Sequence, residues 1–116
     1  MHKAIYLTVV VKTNRPGNTS EQVKEIEARI AAAISTTSHE LTGTLKRLRV
    51  KDGEIKAIVY LEGEQDAPQN FSNFAILDAR KSLETAFAVP LTSHSRISIS
   101  DIQENTNAVD ELADEE

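Results

Sequence analysis

The sequence predicts an α+β domain in which two helices cover one face of a four-stranded antiparallel sheet. Hydrophobic residues recur first with period two, then with a helical period, then twice with period two, then again with a helical period and finally with period two. This order reads β-α-β-β-α-β. The two middle strands meet at Asp52-Gly53, a pair typical of tight hairpins because a type I′ turn needs positive φ at both central positions. A chain of 116 residues has the length of one domain.

The first half of the fold is predicted to be one strand followed by one helix. Over residues 3–12 the odd positions are the more apolar, and the even positions are intermediate, as on a central strand with one half-exposed face. Thr19 and Gln22 have the spacing of a capping box, which predicts the start of the helix. The helix is predicted to end near Ser35. Its buried stripe is predicted to comprise Val23, Ile26, Ile30, Ala33 and Ile34.

The hairpin is predicted to join strands at residues 42–50 and 54–62. Under the register of a two-residue turn, Leu45 falls on the face away from the helices. Either a bulge returns Leu45 to the core, or this side chain lies on the open face of the sheet. The turn predicts three cross-strand pairs: Lys51 with Glu54, Val50 with Ile55, and Leu48 with Ala57.

The second half of the fold is predicted to be a helix from about residue 72 to residue 87 and a strand over residues 95–102. Val89-Pro90 ends the helix region, because proline disfavours helical geometry in the residue before it. The domain is therefore predicted to span residues 1–102. Residues 103–116 are predicted to be an acidic disordered tail, because they hold too little apolar surface to offset ordering entropy. The inward side chains of the helix are predicted to be Ile76, Ala79, Leu83 and Phe87.

The charge of the chain is unevenly distributed. The formal net charge is −5, but residues 1–100 hold all 13 Lys and Arg against 11 Asp and Glu, a balance of +2. Residues 101–116 hold the other seven carboxylates, a balance of −7. The chain has no cysteine, which excludes disulfides and thiolate metal sites. With neither a signal-peptide pattern nor a long apolar run, we expect a cytoplasmic protein that makes no membrane contact.

Right-handed crossovers and the tight hairpin favour one arrangement of these elements, the ferredoxin-like layout with strand order 4-1-3-2 and both helices on one face. The opposite face is then uncovered, and it is partly apolar and partly basic. Exposed patches of this kind usually mark contacts with other molecules. The residues predicted to form this contact surface are Tyr6, Thr8, Val10, Arg47, Arg49, Lys56, Ile58, Tyr60 and Arg96.

The composition of the open face favours another protein, or a second copy of the chain, as the partner, since tyrosine is large, stiff and half polar. We therefore predict a non-enzymatic interaction module, such as a small regulator or inhibitor or a homodimer. The alternative is single-stranded nucleic acid. Ile5-Tyr6-Leu7 resembles the first-strand element of RNA-recognition motifs, which stack bases on this face of the sheet. The third strand, however, lacks the Gly-aromatic-Gly-aromatic pattern of that family.

The remaining polar residues predict no catalytic, cofactor or metal site. His2, His39 and His94 have no metal-ligand spacing, and we expect them to be exposed and passive. An enzyme using His94 or a carboxylate of the loop at residues 62–66 is the third class of function considered. The acidic tail is interpreted as a solvating segment. Its alternatives are docking on the basic residues of its own sheet, in competition with a partner, or contact with a basic surface on a target.

Overall fold

The computed structural model describes residues 1–14, 19–37, 39–51, 53–64 and 70–113 of the chain. The loops predicted around residues 15–18 and 65–69, together with Asp52 of the predicted turn, lie outside the described residues. In the described part of the chain, the elements are β1 (His2–Thr13), α1 (Ser20–Ser35), β2 (Thr42–Lys51), β3 (Glu54–Glu64), α2 (Phe71–Ala86), β4 (Ile97–Glu104) and α3 (Ala108–Ala113).

The four strands form one antiparallel sheet in the order β2-β3-β1-β4, which reads β4-β1-β3-β2 from the other edge. The odd residues of β1 share one hydrophobic core with the buried residues of α1 and α2, and the two helices contact each other, so they share one face of the sheet. Alternation in β1 and β3 is strict enough to place every second side chain on that face. The fully buried centre of the core is aliphatic: Leu7, Val9, Val11, Ile26, Ile30, Ile34, Leu41, Ile55, Val59, Leu61 and Leu83.

Helix α1 starts and ends where the sequence predicts. The hydroxyl of Thr19 accepts a hydrogen bond from the Gln22 main-chain N–H at 3.1 Å, which satisfies one of the donors left open at a helix start. The Gln22 side chain accepts hydrogen bonds from Ser93 and Ser95, at 3.1 and 3.2 Å. It therefore ties α1 to the loop before β4. The buried stripe of α1 comprises Ile26, Ile30 and Ile34, with Val23 and Ala33 half-buried.

The hairpin register is confirmed, and a bulge settles the position of Leu45. Val50 pairs with Ile55 and Leu48 pairs with Ala57, and Gly53 has φ of 82°, a conformation that favours glycine in such a turn. The register shifts between Leu45 and Arg47. Lys46 is thus the extra residue, and Leu45 packs against the core. This bulge lies on β2, an edge strand that also carries Arg47, Arg49 and Lys51.

A second bulge changes the last strand. The register of β1 against β4 shifts so that Val10 pairs with Asp101 and Val11 with Ile99, which leaves Ser100 as the extra residue. Ile97 and Ile99, at odd positions, pack on the core. The inserted residue reverses the alternation, so Ile102, at an even position, is buried on the same face. The strand begins later and ends later than predicted.

Helix α2 buries most of the predicted stripe and one residue that was not predicted. Ala79, Leu83 and Phe87 are buried as expected, but Ile76 is only half-buried. Asp78 is buried as well, although its side chain is polar. It is tolerated there because Oδ1 lies 2.9 Å from Nδ1 of His39, whose ring packs edge-on against Phe74. His39 is therefore not a passive histidine: it holds the loop before β2 to α2.

Arg29 of α1 binds the far end of α2. Helix α2 has no basic residue in its own last turn, where main-chain carbonyls carry partial negative charge. The Arg29 guanidinium is also paired with Glu25 at 3.1 Å, and Glu25 accepts a hydrogen bond from the Thr92 N–H at 3.1 Å. The two side chains together fix the connection between α2 and β4. The carbonyl oxygens that accept from Arg29 are those of Ala86, Val89 and Pro90.

Gly43 lies where β2 passes closest to the end of α1. A Cβ atom built on Gly43 would overlap the main-chain carbonyl oxygen of Ile34 and approach Leu61 Cδ2 to 2.7 Å. A Cβ atom on Gly63 would instead meet Leu41 Cδ2, the end of a side chain, at 2.8 Å. Glycine at position 43 therefore allows α1 to pack directly on the main chain of β2.

The C-terminal region differs from the predicted disordered tail, because secondary structure continues beyond the predicted boundary at residue 102. Strand β4 continues to Glu104, and Ala108–Ala113 form α3. The physical reason is local: the Asn105 side chain accepts from the Asn107 N–H at 2.9 Å, and the Glu111 N–H donates to the Asn107 carbonyl at 2.9 Å. Residues 114–116 lie outside the described residues.

Candidate functional site: the sheet face opposite the helices

The face of the sheet opposite α1 and α2 carries the even residues of β1 and β3. Tyr6 pairs with Tyr60, Thr8 with Ile58, and Val10 with Lys56. On β2, Arg47 lies beside Ile58 and Arg49 beside Lys56. Aromatic residues are thus at one end of this face, which we call the open face, and cations are at the hairpin end.

The tyrosine half of the open face is defined by Tyr6, Lys46, Tyr60 and Glu62. The ring centroids of Tyr6 and Tyr60 are 4.9 Å apart with an interplanar angle of 52°. Lys46, turned to this face by the bulge in β2, places Nζ 5.6 Å from the centre of the Tyr60 ring. Both tyrosines are half-buried. This half presents two stiff rings in fixed positions, bordered by one cation and one carboxylate.

The surroundings of Tyr60 favour its neutral form. Partial removal of water is the main cause that raises the pKa of Tyr60 above its ordinary value of 10.0, followed by the negative charge of Glu62 and by Tyr6. A phenol with a raised pKa keeps its proton to higher pH. Tyr60 is therefore a neutral hydroxyl donor across the physiological range, and it ionises only under alkaline conditions.

We expect Tyr60 to titrate above 10.0 when followed by phenolate absorbance. The chain has two tyrosines and no tryptophan, so a Tyr6→Phe variant isolates the signal. Adding Glu62→Gln to that variant should lower the apparent pKa, because a nearby negative charge disfavours the phenolate. Adding Glu54→Gln, at the other end of β3, should leave it unchanged. Titration of Tyr60 at or below 10.0 would contradict the described surroundings.

The C-terminal segment crosses the middle of the open face. The Asn105 N–H donates to the Tyr6 carbonyl at 2.8 Å, which continues the pairing of β4 with β1. The Asn105 side-chain Nδ2 donates to the Thr8 hydroxyl at 2.9 Å. Because Thr8 points away from the helices, Asn105 turns the chain onto the open face.

The other end of the C-terminal segment is bound at β2. Arg47 Nη1 donates to the Glu111 main-chain carbonyl at 2.6 Å. Thr8, Ile58 and Arg47 form one row across β1, β3 and β2, so a segment held at Thr8 and at Arg47 passes over Ile58. Ile58 is only 4% exposed, and Ala108 of α3 is 1% exposed. Both side chains are therefore shielded from water, and Glu111 of α3 lines the same cleft as Ile58.

The basic half of the open face is defined by Arg47, Arg49 and Lys56. These side chains, with Ile58 and Glu111, line a cleft of about 160 Å³. Arg49 and Lys56 are exposed. The cleft thus has an apolar floor, basic walls and one wall contributed by α3.

The predicted contact residues differ in how exposed they are and in whether they lie on the open face. Tyr6, Tyr60, Thr8 and Val10 are half-buried on the open face, and Arg49 and Lys56 are exposed there. Two residues differ from expectation. Ile58 is buried, and Glu111 of α3 lines the cleft beside it. Arg96 precedes β4 and does not belong to that strand; its main-chain N–H and carbonyl pair with Asn14.

Three residues of the open face were not anticipated from the sequence: Lys46, Asn105 and Ala108. The ambiguous position of Leu45 was a signal for the bulge that exposes Lys46. Asn107, followed by Ala108 and Leu112 at a spacing of four, has the pattern of a capped helical turn. That signal is weak because the segment is short and otherwise acidic.

The polar residues outside the open face form no metal centre among the described residues, where no three His, Asp or Glu side chains come together. His94, with φ of 66°, is a turn residue whose N–H donates to the Leu91 carbonyl at 2.8 Å. His39 and Asp78 form a pair whose evident role is to join a loop to α2.

The chain matches no protein-family model and no curated protein. Within the described ranges, no helix combines the length and the apolar character that a membrane span requires.

Proposed function

We propose that the chain is a non-enzymatic protein-interaction module with a ferredoxin-like layout, which binds another protein or a second copy of itself through the open face. The observation that carries this proposal is the Tyr6–Tyr60 pair, two half-buried rings 4.9 Å apart on the central strands. Rigid aromatic side chains lose little conformational entropy on binding, which suits them to the centre of a contact. A small cytoplasmic regulator or inhibitor is the role that we propose for it.

The geometry of the tyrosine half favours protein over nucleic acid as the ligand. A stacking platform for bases needs free ring faces, whereas here the two tyrosines contact each other and Lys46 covers the Tyr60 ring. Glu62 borders the same rings and would repel a phosphate. The acidic C-terminal segment across the face adds to that repulsion. These features support a protein partner.

The test compares three variants. Tyr60→Asp places a charge in the proposed contact, Tyr60→Phe keeps the ring, and Leu77→Asp adds the same charge on α2, where Leu77 is 66% exposed. Loss of a central aromatic contact costs about 2 kcal/mol or more, roughly a 30-fold weaker association. We expect Tyr60→Asp to lose association to that extent, with Tyr60→Phe and Leu77→Asp close to the unchanged chain.

Sedimentation over a range of concentrations measures self-association of the variants. If the unchanged chain is a monomer throughout, the partner is another protein, and the same three variants are compared in co-purification from the native host. Equal association of Tyr60→Asp and Leu77→Asp in both measurements would show that the tyrosine half is not the contact.

Single-stranded nucleic acid is the second candidate, and the basic half is the observation that favours it. Arg49 and Lys56 are exposed beside Arg47, and such cations attract phosphates. Binding of this kind weakens steeply as salt increases, because counterions are released. A steep salt dependence that is lost in Arg49→Gln, with no effect of Tyr60→Asp, would favour nucleic acid over protein.

A further inference from the structure

We infer that the C-terminal segment, residues 105–113, is a built-in occupant of the basic half of the open face, and that the partner of this half is an acidic helical segment of another protein that displaces it. This inference rests on the proposed function, since it names the partner chemistry and the regulation of the same face. The segment shows what the surface accepts: a short acidic helix.

The first support is the way in which the segment is anchored. Asn105 donates to Thr8 through its side chain at 2.9 Å and accepts from the Asn107 N–H at 2.9 Å, so one residue both ends the pairing with β1 and starts the turn. Downstream of this hinge, Arg47 donates a hydrogen bond to a main-chain carbonyl of α3. A helix from another protein offers the same carbonyl, which makes the contact transferable.

The second support is charge complementarity. The surface under α3 carries Arg47, Arg49 and Lys56, whereas residues 105–116 contain five carboxylates and no cation. Asp110 and Glu111 of α3 are exposed, so their negative charges are not buried in the contact. Opposite charges of this kind steer a segment onto a surface more than they hold it there.

The third support is the small size of the closed contact. Helix α3 has six residues, and a helix this short is not stable by itself in water. It has one buried residue, Ala108, whereas Val109 is 68% exposed. The effective concentration of a segment on a short linker is on the order of millimolar. A partner segment displaces α3 when the ratio of its concentration to its dissociation constant exceeds the corresponding ratio for the tethered α3, and the few contacts of α3 keep that second ratio low.

The first test uses the full chain with two matched variants in α3. Ala108→Asp places a charge in the contact, and Val109→Asp places the same charge one residue away in solvent. The probe is a labelled synthetic peptide with the sequence of residues 105–116, followed by fluorescence anisotropy. If α3 is closed for most of the time, opening it should tighten peptide binding by about tenfold in Ala108→Asp only. Equal affinity of the two variants overturns the inference.

A second measurement does not depend on any peptide. The chain has no cysteine, so Ile58→Cys introduces a single thiol beneath α3. Because the exposure of that thiol requires α3 to leave, its rate of modification should increase by about tenfold when Ala108→Asp is added. Adding Val109→Asp should not change the rate. Rapid modification in the absence of either α3 substitution would show that the segment does not cover Ile58.

The folding of Ala108→Asp is checked separately by circular dichroism and thermal unfolding. Ala108 does not belong to the main hydrophobic core, so we expect the core to stay intact. A single-stranded oligonucleotide that binds Ala108→Asp more tightly than the acidic peptide does would overturn the assignment of an acidic helical partner. A failure of the inference about the C-terminal segment can be told apart from a failure of the proposed function, because neither the peptide assay nor the thiol assay involves Tyr60.

Discussion

Replacing Arg29 with alanine should destabilise the protein by about 2–3 kcal/mol, because hydrogen bonds from a charged group contribute about 1.5–3 kcal/mol and several depend on this side chain. Arg29 binds the carbonyl oxygen of Ala86, the last residue of α2, and those of Val89 and Pro90 beyond it, and pairs with Glu25. Alanine leaves these carbonyls without their cation at the negative end of the helix. It also frees Glu25, which holds the Thr92 N–H. The midpoint temperature of thermal unfolding should fall by roughly 4 °C for each kcal/mol of lost stability in a domain of this size.

A second Arg–Glu pair at the same helical spacing provides the control. Arg80 and Glu84 of α2 are 4.0 Å apart, and their side chains are 35% and 59% exposed. Exposed pairs contribute about 0–1 kcal/mol, so Arg80→Ala should be nearly neutral. Arg29→Lys should recover only part of the loss, because an ammonium group cannot reach several carbonyls in the way that a guanidinium does. Equal destabilisation by Arg29→Ala and Arg80→Ala would mean that the carbonyl contacts are not stabilising.

Replacing Gly43 with alanine should also be strongly destabilising, by about 1–3 kcal/mol or more, as for overpacked core positions. The added Cβ overlaps the carbonyl oxygen of Ile34, a main-chain atom that cannot rotate away. Either α1 or β2 must move, and both belong to the core. Chemical denaturation followed by circular dichroism measures the change in the free energy of unfolding.

Gly63→Ala is the matched control for this substitution. Its Cβ would approach Leu41 Cδ2, which can move by a change of side-chain rotamer. Both substitutions add one methyl group to a strand and remove one glycine from the unfolded chain. The difference between them isolates the contact with the main chain of α1. If Gly63→Ala were the more damaging of the two, the close approach of α1 to β2 would not explain the glycine at position 43.

The parts of the fold that follow from local patterns could be predicted from the sequence. Alternation in β1 and β3, the helical stripe of α1 and the turn at Gly53 each act within a few residues, and the register of Val50 with Ile55 follows from them. The bulge at Lys46 was one of two alternatives that the position of Leu45 left open, whereas the bulge at Ser100 has no local signal, because an extra residue is accommodated by the packing of distant elements. Asp78 is a similar case: its burial depends on His39, which lies 39 positions away in the sequence.

The candidate site was predictable only in part for the same reason. The pairing of Tyr6 with Tyr60 follows once the strands are placed. The position of α3 does not follow from the strands. Ala108 and Leu112 are the apolar residues that would indicate a helix, and they are too few in a segment that is otherwise acidic. The contacts of this segment are with Thr8 and Arg47, which β1 and β2 bring together only in the folded sheet.

The cationic, bulged edge of β2 limits how copies of this chain can assemble. Lysine, arginine and bulges on an edge strand prevent the strand of another molecule from adding to it, which is the route to open-ended fibres. Association through the tyrosine half would instead be isologous, with the same patch on both copies related by a twofold axis. Such an assembly is closed at two subunits, so raising the concentration would produce dimers without further growth.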